Sequence, residues 1–185
     1  MIEIDISDRG HLFPVRFVRR IAQRFQFGDE KRGPWIAGGI ARDIYLNANT
    51  IRGDIDIFVT NPDDMDRMEE VLGNPFHTNT ETKRLFYEDG QIIQVTHFAG
   101  VVDLEGLFRS FDFNVAKVET DGYRLRMHPR AKESLDQLRL DIEYDECAKL
   151  PSLYRVMKYL RYGFNPEPGL IDRIVEVIDE ENDDY

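Results

Sequence analysis

Two aspartates separated by one residue stand in a largely apolar stretch, residues 36–59, which reads IAGGIARDIYLNANTIRGDIDIFV. Alternate side chains of a β-strand share one face, so a strand over 54–59 puts Asp54 and Asp56 on the same side. Like charges this close repel, and a bound divalent cation would neutralise them. Mg²⁺ typically uses one or two carboxylates together with substrate phosphates. We therefore predict that both aspartates bind metal, in a two-ion site suited to in-line phosphoryl transfer.

A pair of glycines before the next helix supplies the second part of the pattern. Gly38 and Gly39 have no Cβ atoms, so their backbone can approach a bound phosphate closely. The N–H groups that open the following helix point toward such a phosphate, and the helix dipole favours its charge. Arg42 could add a bidentate contact to a triphosphate, next to Asp43. These four residues predict a site for a nucleoside triphosphate, with ATP as the expected substrate.

Each of these features also has a plain structural explanation. Gly-Gly is often only a turn, an acidic pair in a strand is often an exposed face, and Arg42–Asp43 could be a helix-surface pair. The ordered combination of Gly-Gly, Arg-Asp and Asp-x-Asp is more specific than any of its parts. We therefore favour the functional interpretation of the whole stretch.

The surrounding sequence predicts an α+β fold that would position these residues. Large apolar residues four apart mark a helix over 11–26. Further helices are predicted over 40–46, from Asn61 to Gly73, and over 103–109, 132–138, 152–162 and 168–180. Strands are predicted over 35–37 and 54–59, and in two hairpins that join 82–87 to 91–98 and 111–119 to 123–128. The pattern divides into a head of mixed strands and helices, residues 1–145, and a helical neck or tail, residues 146–185, packed on it.

The bulk composition limits the classes of protein that fit. The chain has 185 residues, 42% of them hydrophobic, which is enough for a folded domain with a core. A net charge of −11 disfavours indiscriminate nucleic-acid binding, although a local basic patch stays open. Cys147 is the single cysteine, so an internal disulfide is excluded and a reducing, cytoplasmic setting fits. No apolar run is long enough to span a bilayer, so no membrane partner is expected, and no secretory signal is present.

The stretch with the glycine and aspartate pairs resembles the signature of the polymerase-β-like nucleotidyltransferase superfamily. More narrowly, it is similar to the head domain of bacterial poly(A) polymerases and class II CCA-adding enzymes, in which the same elements have this spacing. Two later segments agree. RSFDFNVAKV, residues 109–118, resembles a strand of that family, with Arg109 and Asn114 at matching places. SLYRVMKYLRYGF, residues 152–164, resembles the family's neck helix.

The resemblance implies a mixed, roughly five-stranded sheet flanked by helices, with a short helical neck. It implies transfer of NMP from an NTP to a hydroxyl, by family analogy an RNA 3′ end, with two Mg²⁺ ions bound by Asp54 and Asp56. Arg109 and Asn114 would contact the nucleotide or shape its pocket.

A basic stripe follows the predicted neck helix. Its members, spaced three residues apart, are Arg155, Lys158 and Arg161. They could contact RNA phosphates, or they could pair with the acidic C-terminus.

Departures from the family pattern bear on catalysis. Gln94 stands where many members have a third carboxylate, and a neutral amide neither replaces the charge of a metal ligand nor serves as a base. Asp112, on a strand expected to neighbour it, could act as the catalytic carboxylate instead or could be a solvent-facing strand residue. The region CAKLPSL, residues 147–153, lacks the Glu-Asp-x-x-Arg motif that selects the incoming base. The chain also ends soon after the neck, so we do not expect CCA addition by this chain alone.

The sequence leaves three functional hypotheses. The first is a metal-dependent nucleotidyltransferase whose acceptor is an RNA 3′ end, a protein or a small molecule. The second, motivated by Gln94, is a module that keeps the fold, binds a nucleotide or a protein partner, and has weakened catalysis. The third is a subunit that needs a partner chain to bind RNA. A compact, single-head chain of this kind suggests a phage or mobile-element origin.

Overall fold

Strands and helices are mixed along most of the chain, and helices dominate its end. The structure, a computed structural model, describes residues 1–25, 31–78, 82–142 and 150–183. Within these ranges the predicted α+β class is confirmed. Cys147 and the start of the segment before the neck helix lie outside the described residues.

Eight of the strands form one mixed sheet. In chain order the strands are β1 (Ile2–Asp5), β2 (Trp35–Ala37), β3 (Ile55–Val59), β4 (His77–Thr78), β5 (Lys83–Glu88), β6 (Gln91–His97), β7 (Val118–Thr120), β8 (Arg124–Met127), β9 (Arg139–Leu140) and β10 (Asn165–Pro166). The order across the sheet is β1-β8-β7-β2-β3-β6-β5-β4. Strands β3 and β6 pair in parallel, and their neighbours in the sheet pair antiparallel. Strands β9 and β10 form a separate parallel pair.

The helices largely follow the predicted positions. They are α1 (Phe13–Phe25), α2 (Gly39–Tyr45), α3 (Pro62–Leu72), α4 (Leu104–Arg109), α5 (Pro129–Asp136), α6 (Leu150–Arg161) and α7 (Leu170–Asp183). The Asn61 side chain caps α3 by accepting a hydrogen bond from the Asp63 N–H at 3.0 Å, as its type and position predicted. None of the helices in the described residues has the length and apolar content needed to cross a membrane.

The sheet is larger than the roughly five strands that the resemblance implied. The additional strands include β1, which pairs with β8 at one edge, and β4, which has two residues at the other edge. Strands this short carry little periodic signal in the sequence. Strand β1 is recognised only through its antiparallel register with β8, in which Ile2 lies opposite Met127.

The second predicted hairpin is shorter than expected, and this corrects the placement of Asp112. The sequence predicted a strand over 111–119, but Asn114–Ala116 forms a 3-10 turn and β7 begins at Val118. Asp112 therefore precedes that turn and lies outside any strand. The neighbours of β6 in the sheet are β3 and β5, so Asp112 is not on a strand beside Gln94.

The sheet has two unequal faces. One carries the main core, in which α1, α2 and α3 pack and into which Ile55 and Ile57 of β3 point. The other carries a smaller cluster, in which α4 covers Trp35, Ala37 and Phe58. Alternate residues of a strand share a face, so Asp56, two positions before Phe58 in β3, lies on this second face. Part of this second face is therefore open to form a site.

Helix α6 is held against the sheet domain by aromatic contacts. The buried Tyr159 ring lies with its centroid 5.2 Å from that of Phe113 and 5.8 Å from that of Phe164. These edge-on contacts fix the orientation of α6 on the rest of the chain. The division into a head over 1–145 and a neck over 146–185 stays a prediction.

A buried ion pair joins β7 and β8. Nε and Nη2 of Arg126 donate to the two carboxylate oxygens of Glu119 at 2.8 and 3.0 Å, and both side chains are almost fully buried. Strand β7 also pairs with β2, and the Val118 carbonyl accepts a hydrogen bond from the Gly38 N–H at 2.8 Å. The ion pair therefore supports the strand to which the glycine turn is attached.

Replacing Glu119 with Ala removes both charge-assisted hydrogen bonds from a buried guanidinium. We expect the free energy of unfolding to fall by about 3–5 kcal/mol, because losing one partner of a buried ion pair is costly. The control is Glu105→Ala, since Glu105 pairs with Arg109 at the exposed surface and its loss should cost less than about 1 kcal/mol. Urea denaturation followed by circular dichroism measures both values, and equal losses would contradict this role for Glu119.

Candidate functional site

A cavity of about 690 Å³ opens on the second face of the sheet, between the glycine turn, β3, β6 and helix α6. This volume is in the range of small-molecule sites. Most of the residues predicted from the sequence line it: Gly38, Gly39, Arg42, Asp43, Asp54, Asp56, Asp112, Arg155 and Lys158. The glycine turn, the acidic pair and the neck helix thus meet around one space.

The glycine turn lies beside the acidic strand because of the register between β2 and β3. Ala37 is opposite Asp56, and Gly38 follows at the end of β2. Gly38 has φ +81°, a conformation that L side chains rarely adopt, so glycine is needed here for its backbone freedom. A Cβ on Gly38 would lie 3.9 Å from Oδ2 of Asp56, which places this carboxylate within van der Waals reach of the turn.

The two carboxylates differ in their surroundings. Asp54 is exposed and immediately precedes β3, which starts one residue later than predicted. Asp56 is partly buried within the strand. Burial, reinforced by the charge of Asp54, raises the pKa of Asp56 to about 6, and the cations Lys158 and Lys83 offset this only in part. Among the described residues neither carboxylate forms an ion pair. The acidic pair therefore carries negative charge that no ion pair within the described residues neutralises.

This charge fits a metal ion whose remaining ligands come from the substrate. In the described part of the chain no group of three or more His, Cys, Asp or Glu side chains is arranged to hold a metal ion. Mg²⁺, however, is commonly held by one or two carboxylates, with substrate phosphates and water as its other ligands. Asp54 and Asp56 supply such a pair, so the residues present fit Mg²⁺ bound together with a polyphosphate and do not form a closed protein cage.

Arg42 and Asp43 form a buried pair in the cavity wall. Nε and Nη2 of Arg42 donate to Oδ1 of Asp43 at 3.1 and 3.0 Å, and both side chains are almost fully buried. The Arg42 guanidinium also lies over two rings of the neck, with Cζ 5.2 Å from the Tyr159 centroid and 5.3 Å from that of Tyr162. The pair is thus an anchor between α2 and α6 and not a helix-surface pair.

Asp112 lines the cavity but is held by the neck helix. Its Oδ2 accepts hydrogen bonds from Nη1 of Arg155 at 2.6 Å and from Oγ of Ser152 at 2.7 Å, and its Oδ1 accepts one from the Phe113 N–H at 3.0 Å. Arg155, in turn, is tied to Asp112 while one side of it faces the cavity. A catalytic role for Asp112 stays a prediction.

Gln94 occupies the position across the sheet from Asp56. In the parallel pairing of β3 and β6 these two residues are register partners, and both line the cavity. An acidic residue here would therefore lie on the strand next to Asp56, on the same face. The sequence departure noted at Gln94 is located at the centre of the site.

Three predicted residues are not brought to the cavity. Arg109 ends α4 at the exposed surface and pairs with Glu105 at 2.6 Å. Asn114 is buried in the 3-10 turn, where its N–H donates to the Asp141 carbonyl at 3.0 Å. Arg161 is exposed on α6 and does not line the cavity. Their predicted contacts with nucleotide or RNA stay predictions.

The sequence interpretation missed several residues of the cavity wall, among them Arg52 and Tyr162. Arg52 lies in the polar loop just before the acidic pair, and Tyr162 directly follows α6. The spacing of four between Lys158 and Tyr162 is a helical-neighbour signal that could have drawn attention to the tyrosine. No comparable signal singles out Arg52, because loop residues have no periodicity.

No protein-family model and no curated protein matches the sequence. Solved structures do match. The CCA-adding enzyme of Thermotoga maritima complexed with tRNA has a TM-score of 0.69 at 14% identity, over 97% of this chain and 46% of that chain. The Bacillus stearothermophilus CCA-adding enzyme in complex with CTP has a TM-score of 0.66 at 19% identity, over 89% and 43%. A CCA-adding enzyme in complex with ATP has a TM-score of 0.68 at 16% identity, over 97% and 47%.

The chain thus spans somewhat less than half the length of each of these enzymes. At such low identities the likeness concerns the fold, and it agrees with the resemblance that the sequence motifs indicated. The chain has a fold found in CCA-adding enzymes, and its cavity lies among the residues whose pattern resembles the nucleotidyltransferase signature.

Proposed function

We propose that the chain is a metal-dependent nucleotidyltransferase that transfers NMP from an NTP to a hydroxyl acceptor, an RNA 3′ end. One observation carries the proposal: Asp54 and Asp56 share a cavity with the Gly38–Gly39 turn and have no ion-pair partner among the described residues. A structural acidic pair would be expected to hold a nearby arginine, and two cavity arginines instead hold other carboxylates.

The residues of the cavity take distinct parts in binding. Asp54 and Asp56 would hold Mg²⁺, which when bound neutralises polyphosphate charge and polarises the α-phosphorus. The Gly38–Gly39 backbone lies beside them without side chains, so a phosphate can approach closely. The buried Arg42–Asp43 pair keeps the turn and the neck helix in fixed positions.

The reaction is an in-line displacement. The acceptor oxygen forms a bond to the α-phosphorus, the bond from that phosphorus to the bridging oxygen breaks, and pyrophosphate leaves. The hydroxyl proton passes to a carboxylate of the cavity. The side chain of Gln94 cannot accept this proton, because an amide is not basic. Positioning and charge stabilisation supply most of the rate enhancement in such reactions.

The choice of RNA and NTP as substrates is supported by the structural neighbours. Proteins that share this fold include CCA-adding enzymes in complex with tRNA, with ATP and with CTP. The chain matches less than half of each of them, so the acceptor and the base preference are part of the proposal.

A second candidate function is a nucleotide-binding or regulatory module with weakened catalysis. The specific observation in its favour is Gln94, which lies opposite Asp56 where an acidic side chain could serve as ligand or base. Binding would survive in this case, because the glycine turn and the aspartate pair are present, whereas turnover would be slow.

Removing the acidic pair tests the first candidate. We expect wild-type protein with Mg²⁺, labelled ATP or CTP and an RNA pool to label RNA and release pyrophosphate. Asp54→Ala and Asp56→Ala should each lower the rate about 100-fold or more, because each loses a ligand of an ion that contributes several kcal/mol. Without Mg²⁺ the Asp56→Ala chain should be at least as stable as wild type. The substitution removes a carboxylate whose raised pKa makes its ionisation unfavourable in the folded state.

The matched control is Asp172→Ala, which removes an exposed aspartate of α7 outside the cavity and should leave the rate unchanged. Thermal shifts by NTP with Mg²⁺, recorded in parallel, report binding separately from turnover. Label transfer that is equal in wild type and in both site variants would reject the enzymatic proposal.

Gln94→Glu distinguishes the two candidates. An added carboxylate next to Asp56 supplies a base, so we expect the transfer rate to rise about 10-fold or more above a measurable wild-type rate. Gln137→Glu, an exposed change outside the cavity, is the control for added charge. A silent wild type that gains activity only with Gln94→Glu would favour the binding module.

A further inference from the structure

The charged side chains that line the cavity are balanced in number but not in position. Four are acidic and four are basic: Asp43, Asp54, Asp56 and Asp112, and Arg42, Arg52, Arg155 and Lys158. Two ion pairs, Arg42–Asp43 at 3.0 Å and Arg155–Asp112 at 2.6 Å, account for half of them. The acidic side chains that remain belong to the metal pair, and the basic ones that remain are Arg52 and Lys158.

Arg52 and Lys158 converge on one aromatic ring at the cavity wall. The Arg52 guanidinium carbon lies 5.5 Å from the Tyr162 ring centroid, and the Lys158 Nζ lies 6.0 Å from it. The Tyr162 hydroxyl donates to the Arg52 carbonyl at 3.1 Å, which fixes the loop to the end of α6. In the described ranges neither cation has a carboxylate within ion-pair distance. Two cations that contact one ring and have no ion-pair partner among the described residues present positive charge to the cavity.

The position of Lys158 relates this positive end to the acidic end. Its Nζ lies 3.7 Å from the place where a Cβ of Gly53 would be, and Gly53 directly precedes Asp54. A bulkier residue at 53 would therefore meet the ammonium group. One short segment, residues 52–56, thus joins the basic end to the acidic end.

We propose that Arg52 and Lys158 bind the terminal phosphates of the nucleoside triphosphate, beside the metal ion held by Asp54 and Asp56. This inference rests on the proposed function and deepens it. A cavity with a dianionic end and a dicationic end is complementary to a metal–polyphosphate, in which a cation and an anionic chain are adjacent. A monophosphate bound at the metal has no charge left for the basic end.

The assignment separates Lys158 from the basic stripe predicted on the sequence. Arg161 lies on the same helix but is exposed and outside the cavity, and Arg155 is held by Asp112. Lys158 is therefore the stripe residue whose charge is available inside the site. A polyphosphate bound by Arg52 and Lys158 also connects the loop before β3 to α6, so binding should hold the neck helix on the sheet domain.

The test compares ligands with and without terminal phosphates. The dissociation constants of ATP, AMP and inorganic tripolyphosphate, each with MgCl₂, are measured by calorimetry on wild type, Arg52→Ala and Lys158→Ala. We expect each substitution to weaken ATP and tripolyphosphate about 10-fold, which corresponds to about 1.4 kcal/mol, and to change AMP less than about 2-fold. Lys158→Arg should retain most of the affinity for ATP, because the charge is kept.

Arg161→Ala is the matched control, since it removes one positive charge from the same helix outside the cavity and should leave all three affinities unchanged. Circular dichroism and melting without ligand confirm that each variant folds. Equal weakening of ATP and AMP, unchanged affinity for ATP, or no binding of tripolyphosphate to wild type would each overturn the inference.

These outcomes are distinct from those that test the reaction. Loss of ATP and tripolyphosphate affinity in both variants supports the inference even where wild type releases no pyrophosphate, and then only the transferase proposal fails. Suppose instead that wild type turns over and that both variants keep the wild-type ratio of ATP affinity to AMP affinity. The transferase proposal then stands, and the phosphate assignment is wrong.

Discussion

The register between β2 and β3 is the constraint on which the site depends. Because Ala37 is opposite Asp56, the glycine turn that follows β2 lies beside the carboxylate, and the two halves of the sequence signature meet in space. A slip by one residue would point Asp56 into the main core and Ile57 toward the cavity. The burial of alternate residues of β3 opposes that slip, since Ile55 and Ile57 are fully buried. The packing of an ordinary hydrophobic core therefore orients Asp56 toward the cavity.

The charged residues of the cavity fall into two groups, those held in ion pairs and those without an ion-pair partner among the described residues. The arginines that tie helices together are paired with aspartates, so the walls contributed by α2 and α6 stay in place without a ligand. Asp54 and Asp56 have no such partner among the described residues, and burial together with the charge of Asp54 raises the pKa of Asp56. Groups left unfavourable in the protein alone are a common feature of sites that acquire their counter-charge from a ligand.

The sequence was sufficient for local structure and for the central motif. Caps, turn residues and periodicity located α1, α3 and the first hairpin, and the spacing of Gly38 and Asp56 predicted the juxtaposition that the register produces. It was insufficient where distant pairing decides the outcome. Strand β1 depends on a partner more than a hundred residues away, and Asp112 lies outside a strand because the following residues turn into a 3-10 helix. Arg52 was missed because it lies in a loop without periodicity, and its ring contact, Tyr162, is distant in sequence and directly follows α6.

The parallel pairing of β3 with β6 sets how the molecule must assemble. Strands β5 and β6 adjoin in sequence and can form their hairpin locally, whereas β3 reaches β6 only after the intervening helix and strands have been placed. Closing such a long loop costs chain entropy before any contact is gained, so this pairing belongs to the slower part of folding. A partly folded chain then has the glycine turn beside Asp56 but lacks Gln94 of β6 on its other side. Any ligand that recognises the completed cavity binds the native state alone and raises its population by mass action.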